Sequence, residues 1–420
     1  MSHTIRKKNL TPKITSLLFL PLAKVLPFKK VFLCFFLWQT KNILANAELI
    51  FKLGDYTINY ITISQKSGKI MKKKALIAMS GGVDSSVTAY LMKRAGYDCL
   101  GAMMKLYGGD NTGTVERTCC SLADAQDARS VCANLGFPFY VFNFTEEFAT
   151  QVIDKFCREY AQGRTPNPCI DCNRYMKFEL LLKRMELMSC AALATGHYAR
   201  VEKDSSRWLL RKALDDRKDQ SYVLYMLSQY QLERLKLPLG DMRKSEVRDL
   251  AQALGFWNAD KPDSQDICFV PDGNYARLLP PIASGKFIDA SGNTLGKHSG
   301  HYRFTVGQRK GLGLAFDSPR YVIAKNAAEN TVTLGRKHEL ARSECVLEDI
   351  NLIAYDTLEM PLKATVRTRY HQKETPCTVT QTDEHTLHIR FDEAKNAVAP
   401  GQAAVIYEGD YVIGGGVIES

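Results

Sequence analysis

Residues 78–87 read Ala-Met-Ser-Gly-Gly-Val-Asp-Ser-Ser-Val, and the stretches on either side decide what that string is. Lys72, Lys73 and Lys74 lead into the apolar residues 75–79, a run of buried-strand length. Downstream, Val87, Tyr90, Leu91 and the small residues between them predict a helix that continues to Arg94, with Gly96 as its stop. A strand, a Gly-Gly turn and a helix start form the geometry that binds phosphate. Glycines let the backbone approach the anion, and the free N–H groups and helix dipole point at it. The hydroxyls of Ser80, Ser85 and Ser86 add donors. Asp84 sits oddly there, since it repels phosphate unless a Mg²⁺ lies between them or its carboxylate caps the helix. Without its context the turn reads equally well as a tight connection with Asp84 as the cap. No Gly-Lys-Ser/Thr follows, so it is not a Walker A loop.

Working outward, residues 97–105 predict a second strand. Cys119 and Cys120 precede an amphipathic helix over Leu122–Leu135 closed by Gly136, then residues 139–144 a strand and 150–160 a helix. Strands alternating with helices predict a parallel sheet covered on both faces, with ligands beyond the carboxyl ends of its strands. Residues 163–178 read Gly-Arg-Thr-Pro-Asn-Pro-Cys-Ile-Asp-Cys-Asn-Arg-Tyr-Met-Lys-Phe. Two prolines stiffen this loop, and Arg174 and Lys177 follow Cys172, where neighbouring cations favour the thiolate. The spacing of Cys169 and Cys172 suits a redox pair or half a metal site, and no second CxxC completes a zinc set.

Three shorter stretches are ambiguous by themselves. Residues 193–198, Leu-Ala-Thr-Gly-His-Tyr, predict a strand end entering a loop, and His197 alone reads as structural. Residues 216–222, Asp-Arg-Lys-Asp-Gln-Ser-Tyr, read as a polar loop before an apolar helix over 223–227. Cys268, between Ile267 and Phe269, alone reads as a buried inert thiol.

The chain's 420 residues are long for one core and predict two or three domains. The net charge of +11 is unevenly spread: residues 1–70 hold eleven Lys/Arg against Glu48 and Asp55, leaving +2 for the rest. Overall basicity therefore does not argue for nucleic acid, and any RNA surface on the body must be a local patch. The apolar pieces of residues 1–70 are interrupted by lysines, and the longest run, 31–38, is too short to span a bilayer. This stretch reads as an N-terminal extension ahead of a functional start at Met71, with a targeting peptide as the alternative. Twelve cysteines scattered along a long chain suggest a reducing, cytoplasmic setting.

From about residue 286 the pattern turns to short strands and turns, among them 287–288, 302–306, 321–324 and Thr331–Gly335. Residues 307–313 form a basic glycine-rich loop suited to phosphate or RNA backbone. From about Ser343, strands are predicted over 362–370, 377–381, 386–391, 403–407 and Tyr411–Ile418, which reads as a small all-β barrel. The expected domains are 71–283, 284–342 and 343–420.

Taken together, these strings resemble the tRNA-specific 2-thiouridylases, the MnmA family, within the pyrophosphate-loop ATP pyrophosphatase superfamily. The motifs that carry the resemblance are Ser-Gly-Gly-Val-Asp-Ser-Ser at 80–86, Gly-Arg-Thr-Pro-Asn-Pro at 163–168, Cys172-Asn173, Ala-Thr-Gly-His-Tyr at 194–198, Lys-Asp-Gln-Ser-Tyr at 218–222 and Ile-Cys-Phe at 267–269. Gly-Gln-Arg-Lys-Gly-Leu at 307–312, Arg369-Tyr370 and Pro-Gly-Gln at 400–402 complete them. The resemblance implies an α/β pyrophosphate-loop domain followed by a small β-rich domain and a β-barrel. It implies ATP-dependent 2-thiolation of the wobble uridine of tRNAs for Lys, Glu and Gln, with Mg²⁺ and a persulfide donor protein or relay.

It further implies that ATP lies on Ala78, Met79, Ser80, Gly81, Gly82, Val83, Asp84 and Ser85, with Met104 and Gly196 beside the adenine and ribose. Cys172 matches the nucleophile and Cys268 the persulfide carrier. Asn167, Pro168 and Cys169 match the target-base contact. His197, Lys218, Asp219, Gln220, Arg369, Tyr370 and Gln402 match tRNA contacts. Many members carry Asp where this chain has Cys169, and Cys169, Cys172 and Cys268 together would supply three thiolates for a [4Fe–4S] cluster with one open iron. A competing reading is another pyrophosphate-loop enzyme, such as an amidotransferase-type or lysidine synthetase, which needs no paired thiols.

Overall fold

The computed structural model describes residues 72–107, 121–263, 267–270 and 272–419, together with the backbone of two short antiparallel strands, Lys52–Leu53 and Tyr56–Thr57. The readings of the rest of residues 1–71, and of Cys119 and Cys120, lie outside the described residues. Residues 72–420 form one compact unit.

That unit begins with β1 (Lys74–Ala78), α1 (Val83–Arg94), β2 (Asp98–Lys105), α2 (Leu122–Leu135) and β3 (Phe139–Asn143). A long helical run follows: α3 (Thr145–Phe148), a π turn over Ala149–Ile153 and α4 (Asp154–Ala161). The second run is α5 (Pro168–Asp171), a π segment over Cys172–Leu181 and α6 (Leu182–Leu187). Then come β4 (Ala192–Ala194), the hairpin β5 (Arg200–Lys203) and β6 (Trp208–Arg211), α7 (Gln229–Arg234), β7 (Leu235–Lys236) and α8 (Lys244–Ala253). The parallel sheet has the order β3-β2-β1-β4-β7.

The two-residue period of the strands divides the sheet between two cores. Ala75, Ile77, Ala192 and Ala194 pack with Val87, Val131 and Val247 of the helices on one face. Leu76, Leu193 and Ala102 pack with Phe148, Phe156 and Met176 on the other. Both faces are covered, so the strands read as continuous apolar runs. The chain leaves β1 toward β2 and returns through β4 on β1's other side. The turn after β1 and the loop after β4 therefore flank the crevice where ligands bind in such sheets.

The middle of the chain forms a four-stranded sheet of β8 (Gly285–Ile288), β9 (Thr294–His298), β10 (Tyr321–Asn326) and β11 (Thr331–Gly335) in the order β9-β8-β11-β10. The rest is β12 (Ala341–Leu352), β13 (Leu362–Arg367), β14 (Thr375–Asp383), β15 (Thr386–Asn396), β16 (Ala403–Glu408) and β17 (Tyr411–Ile418). Their order, β12-β15-β14-β13-β16-β17, closes through β12–β17 pairing into an antiparallel barrel. The fold class matches the expectation: a parallel α/β domain, a small β-rich unit and a β-barrel.

Two local expectations differ, and one hairpin joins an unexpected sheet. Residues 302–306 are not a strand but a 3₁₀ turn over His301–Arg303 and an extended exit. Residues 223–227 are not an α-helix but the end of a 3₁₀ turn over Ser221–Leu224, because Tyr222 and Tyr225 are drawn wholly into the core. The hairpin β5/β6 leaves the parallel-sheet domain and pairs with β17, Tyr411 opposite Arg211 and Val412 opposite Leu210, adding two strands to the barrel sheet. Among the described residues no helix is long and apolar enough to cross a membrane.

The barrel closes tightly at its glycines. A Cβ on Gly414 would stand 2.2 Å from the Asn351 carbonyl oxygen on β12, so backbone contact leaves no room for it. Gly414→Ala is expected to lower stability by about 1–3 kcal/mol, the usual cost of overpacking. Urea unfolding of the variant beside the wild type measures it; equal midpoints would mean the seam can relax.

Candidate functional site

Gly82 is the N-cap of α1, in extended conformation and with no side-chain cap, so the first N–H groups of the helix are left for an anion. The serines brace the turn: Ser85 Oγ and Ser86 Oγ both donate to the Gly82 carbonyl, at 2.9 and 3.0 Å, and Ser80 N donates to Ser85 Oγ at 3.2 Å. Gly81 has φ +74°, and a Cβ there would meet the Asp124 backbone oxygen at 2.5 Å. Asn258 Nδ2 donates to the Gly81 carbonyl and to Ser86 Oγ, each at 3.0 Å.

Asp84 neither caps the helix nor faces the turn alone, which corrects the capping expectation. Lys244 Nζ lies 2.8 Å from each of its oxygens and the Tyr198 hydroxyl donates to it at 2.7 Å. Burial, and then the Asp84 charge, push the Tyr198 phenol well up, so it remains a donor. Lys244 also pairs with Asp263 at 2.7 Å, and Lys218 holds the other Asp263 oxygen at 2.7 Å. Burial works against Asp263's charge, but these two ammonium groups hold its carboxyl below the ordinary value. On the Gly81 side, Lys261 bridges Asp124 and Asp127 and reaches the Gly81 carbonyl at 3.4 Å. Gly196, after β4, packs against the start of α1; a Cβ there would meet Asp84 backbone carbon at 3.0 Å. Met104 is half-buried near the end of β2.

The thiols form the second part of the site. Asn167 caps α5 by accepting from Cys169 N at 3.2 Å, and Pro168 takes the first helical position. Cys169 and Cys172, three residues apart on one helical run, share a face. Cys169 is exposed and Cys172 half-buried where the π segment begins, a distortion common at functional sites. Cys268 is half-buried in a turn, its carbonyl accepting from the Tyr107 hydroxyl at 3.4 Å beyond the end of β2. Cys172 and Cys268 pack on the same apolar cluster. The cations expected beside Cys172 have partners of their own: Arg174 pairs with Asp349 of β12 at 2.6 Å, and Lys177 donates to His197 Nε2 at 3.3 Å. Among the described residues no group of three or more His, Cys, Asp or Glu side chains is placed to hold a metal ion.

The residues matched to tRNA contacts fall into two sets. Asp219 is buried and fully used, accepting from Ala213 N, Ser221 N, Ser221 Oγ and, at 2.9 Å, the Arg367 guanidinium of β13. It is a latch between domain and barrel, with no acceptor left at the surface. His197 is also buried; burial first, then Lys177, hold its pKa well below 6.5. A neutral ring accepting at Nε2 carries its proton on Nδ1 and donates it to Thr195 Oγ1 at 2.8 Å. Gln220 Oε1 accepts from Tyr198 N at 2.9 Å, and Gln402 Nε2 donates to the Thr165 carbonyl at 2.7 Å. Tyr370 packs on the same apolar cluster as Cys172 and Cys268, and burial, then Asp219 and Cys169, push its phenol up to about 12. Arg369 donates to the Val306 carbonyl at 2.7 Å.

Three family profiles match nearly the whole described unit: residues 73–272 as a tRNA methyl transferase HUP domain, 276–336 as its PRC-barrel domain and 342–418 as an aminomethyltransferase β-barrel domain. The chain is 49% identical over 356 residues to the tRNA-specific 2-thiouridylase MnmA of Clostridioides difficile strain 630, covering 83% of this chain and 99% of that one. The chain belongs to the MnmA family. A second member, MnmA 1 of Clostridium botulinum strain Loch Maree, is 44% identical over 355 residues, 83% of this chain and all of the relative.

Sequence reasoning missed Lys244, Asn258 and Lys261 at the turn, and Asp349 and Arg367 on the barrel. Each is an ordinary charged or amide residue whose partner is distant in sequence, and nothing local marks it.

His197 stays uncharged in the folded protein, whereas the unfolded chain takes up a proton near pH 6.5. The unfolded state then binds more protons as pH falls below that value, and stability drops. His197→Asn is expected to flatten part of the stability loss between about pH 7 and about pH 5, measured by urea unfolding; an unchanged slope would place the proton uptake elsewhere.

Proposed function

We propose that this protein catalyses ATP-dependent 2-thiolation of the wobble uridine, U34, of tRNA. The observation that carries the reading is the pairing, in an MnmA-family chain, of a braced phosphate turn after β1 with two cysteines flanking one apolar cluster at the same sheet. A uracil C2 carbonyl is unreactive, so its oxygen must first be turned into a leaving group. Attack of that oxygen on the α-phosphorus of ATP releases pyrophosphate and leaves AMP on C2. Open N–H groups at the start of α1, with Lys244 and Lys261 at its two sides, are suited to the pyrophosphate charge. Mg²⁺ needs one or two carboxylates beside phosphate oxygens, and Asp84 is the carboxylate the turn presents; when bound, the ion would neutralise that charge further.

Sulfur transfer then uses both thiols. A persulfide on Cys268 attacks C2 through its terminal sulfur and expels AMP. The Cys172 thiolate attacks the Cys268 sulfur, breaks the S–S bond and leaves 2-thiouridine with a Cys172–Cys268 disulfide, which an external dithiol reduces. The target base must leave the anticodon loop to reach these groups, as loop bases do. The anticodon loops served are those of tRNAs for Lys, Glu and Gln, with a persulfide protein as donor and the cytoplasm as the setting.

Thiolation of tRNA by the purified chain with ATP and persulfide or sulfide, read as the mass change of oxygen to sulfur, tests this. No thiolation, or gain of a methyl group in place of the oxygen-to-sulfur change, would overturn it. Cys172→Ser and Cys268→Ser are each expected to abolish thiolation with persulfide while still forming pyrophosphate from ATP. Lys244→Met is expected to weaken ATP binding roughly 10–100-fold, since hydrogen bonds to charged groups are worth about 1.5–3 kcal/mol. Protein purified without oxygen is expected to hold no stoichiometric iron, and Cys169→Ala to remain active.

A further inference from the structure

We propose that the glycine-rich loop of residues 307–320, in the central β-rich unit, clamps the RNA phosphodiester backbone beside the target uridine. The inference rests on the tRNA reading above and adds a surface to it.

The base of the loop is tied down. Gly307 N donates to the Val322 carbonyl at 2.8 Å, and Val322 N donates to the Gln308 carbonyl at 3.0 Å. The Gln308 side chain staples the turn from within: its Oε1 accepts from Thr305 N and its Nε2 donates to the Lys310 carbonyl, both at 3.0 Å. Gly307, Gly311 and Gly313 hold φ of +90°, +74° and +70°, which lets so short a loop fold back. Arg309 and Lys310 follow Gln308 in the loop, and both are exposed.

A cleft of about 610 Å³ opens along the loop, lined by Arg309, Gly311, Gly313, Phe316, Asp317 and Arg320 among others. The Arg320 guanidinium lies 5.9 Å from the centre of the Phe316 ring. Its Nε is buried and meets no acceptor among the described residues. The guanidinium groups of Arg309 and Arg320 line the cleft against one lining carboxylate, Asp317, with Asp289 also acting on Arg320, and Lys310 adds a cation beside Arg309. At Gly313 nothing lies within 4 Å of where a Cβ would stand, so a phosphate oxygen can approach the backbone.

The loop's position gives the anion a source. Gly307 begins beside Arg369, whose Nη2 would lie 3.7 Å from a Cβ there and which donates to the preceding carbonyl, that of Val306. Tyr370 follows and packs on the apolar cluster that Cys172 and Cys268 also flank. A line of residues thus runs from the thiols through Tyr370 and Arg369 into the basic loop. When a uridine is turned out toward the thiols, its flanking phosphates lie at the rim of the site, and this loop is the cationic rim on the central unit's side.

The test compares wild type with the double variant Arg309→Ala/Lys310→Ala and with the charge-keeping Arg309→Lys/Lys310→Arg, all checked for equal thermal unfolding. The double variant is expected to bind tRNA roughly 10–100-fold more weakly. Its log K against log salt should flatten by about 0.7–0.9 for each phosphate it no longer neutralises. KM for tRNA should rise with kcat and ATP affinity kept, and the charge-keeping variant should restore binding. Unchanged affinity and salt slope in the double variant, with wild type binding tRNA, would overturn the clamp alone. A wild type that binds no tRNA would overturn the clamp together with the function on which it rests.

Discussion

A carboxylate stands in the first turn of a helix whose N-terminal N–H groups have no side-chain cap, and the charges around it are arranged to answer that carboxylate. Asp84 lies in the first turn of α1, and Lys244, at the start of α8, sits against both of its oxygens. Lys244 is shared in turn with Asp263, and Asp263 with Lys218. On the other side Lys261 sits between Asp124 and Asp127. Positive and negative groups alternate around the turn, so each lysine is held in place without an anion and can be shared with one. Isolated surface pairs contribute little, but a partly buried network positions charge at little further cost in order.

The same logic of held groups runs to the thiols, and here the holding comes from the barrel. Thr165 N donates to the Pro400 carbonyl at 2.8 Å, Gln402 returns a bond to Thr165, and Gly401 fits because a Cβ would press on Thr165 N. Arg174, two residues after Cys172, is bound by Asp349. Asp219 is latched to Arg367. The barrel also buries a face against the catalytic core: Ala403, Val405 and Tyr407 of β16 pack with Leu193 and Phe156, while Ala404 and Ile406 point into the barrel. The proline-stiffened loop that carries Cys169 and Cys172 is thus set by two domains at once. Asp219 and Gln402, which the family resemblance matches to RNA contacts, also take part in this joint.

Much of this was legible in the chain because the physics is local. The apolar residues 75–79, the Gly-Gly turn and Gly96 dictate strand, turn and helix end. Ser121 with Asp124, and Gly136 at φ +73°, bound α2 where the pattern places it. The uninterrupted apolar run 403–407 marks a strand buried on both faces, which β16 is. Residues 223–227 were misleading for the same reason they are apolar: Tyr222 and Tyr225 are core anchors, and packing overrides helical pattern in so short a piece.

By itself, the sequence determined the opening strand, Gly-Gly turn and helix, the change from α/β to all-β, and the thiols with their helical spacing. Each follows from backbone preference and apolar period within a dozen residues. Only the tertiary structure decided which charges meet. Lys244 reaches Asp84 across 160 positions, Arg367 reaches Asp219 across 148, and Arg174 finds Asp349 across 175. An ion pair leaves no periodic trace in either partner's neighbourhood, because its energy depends on separation in space alone.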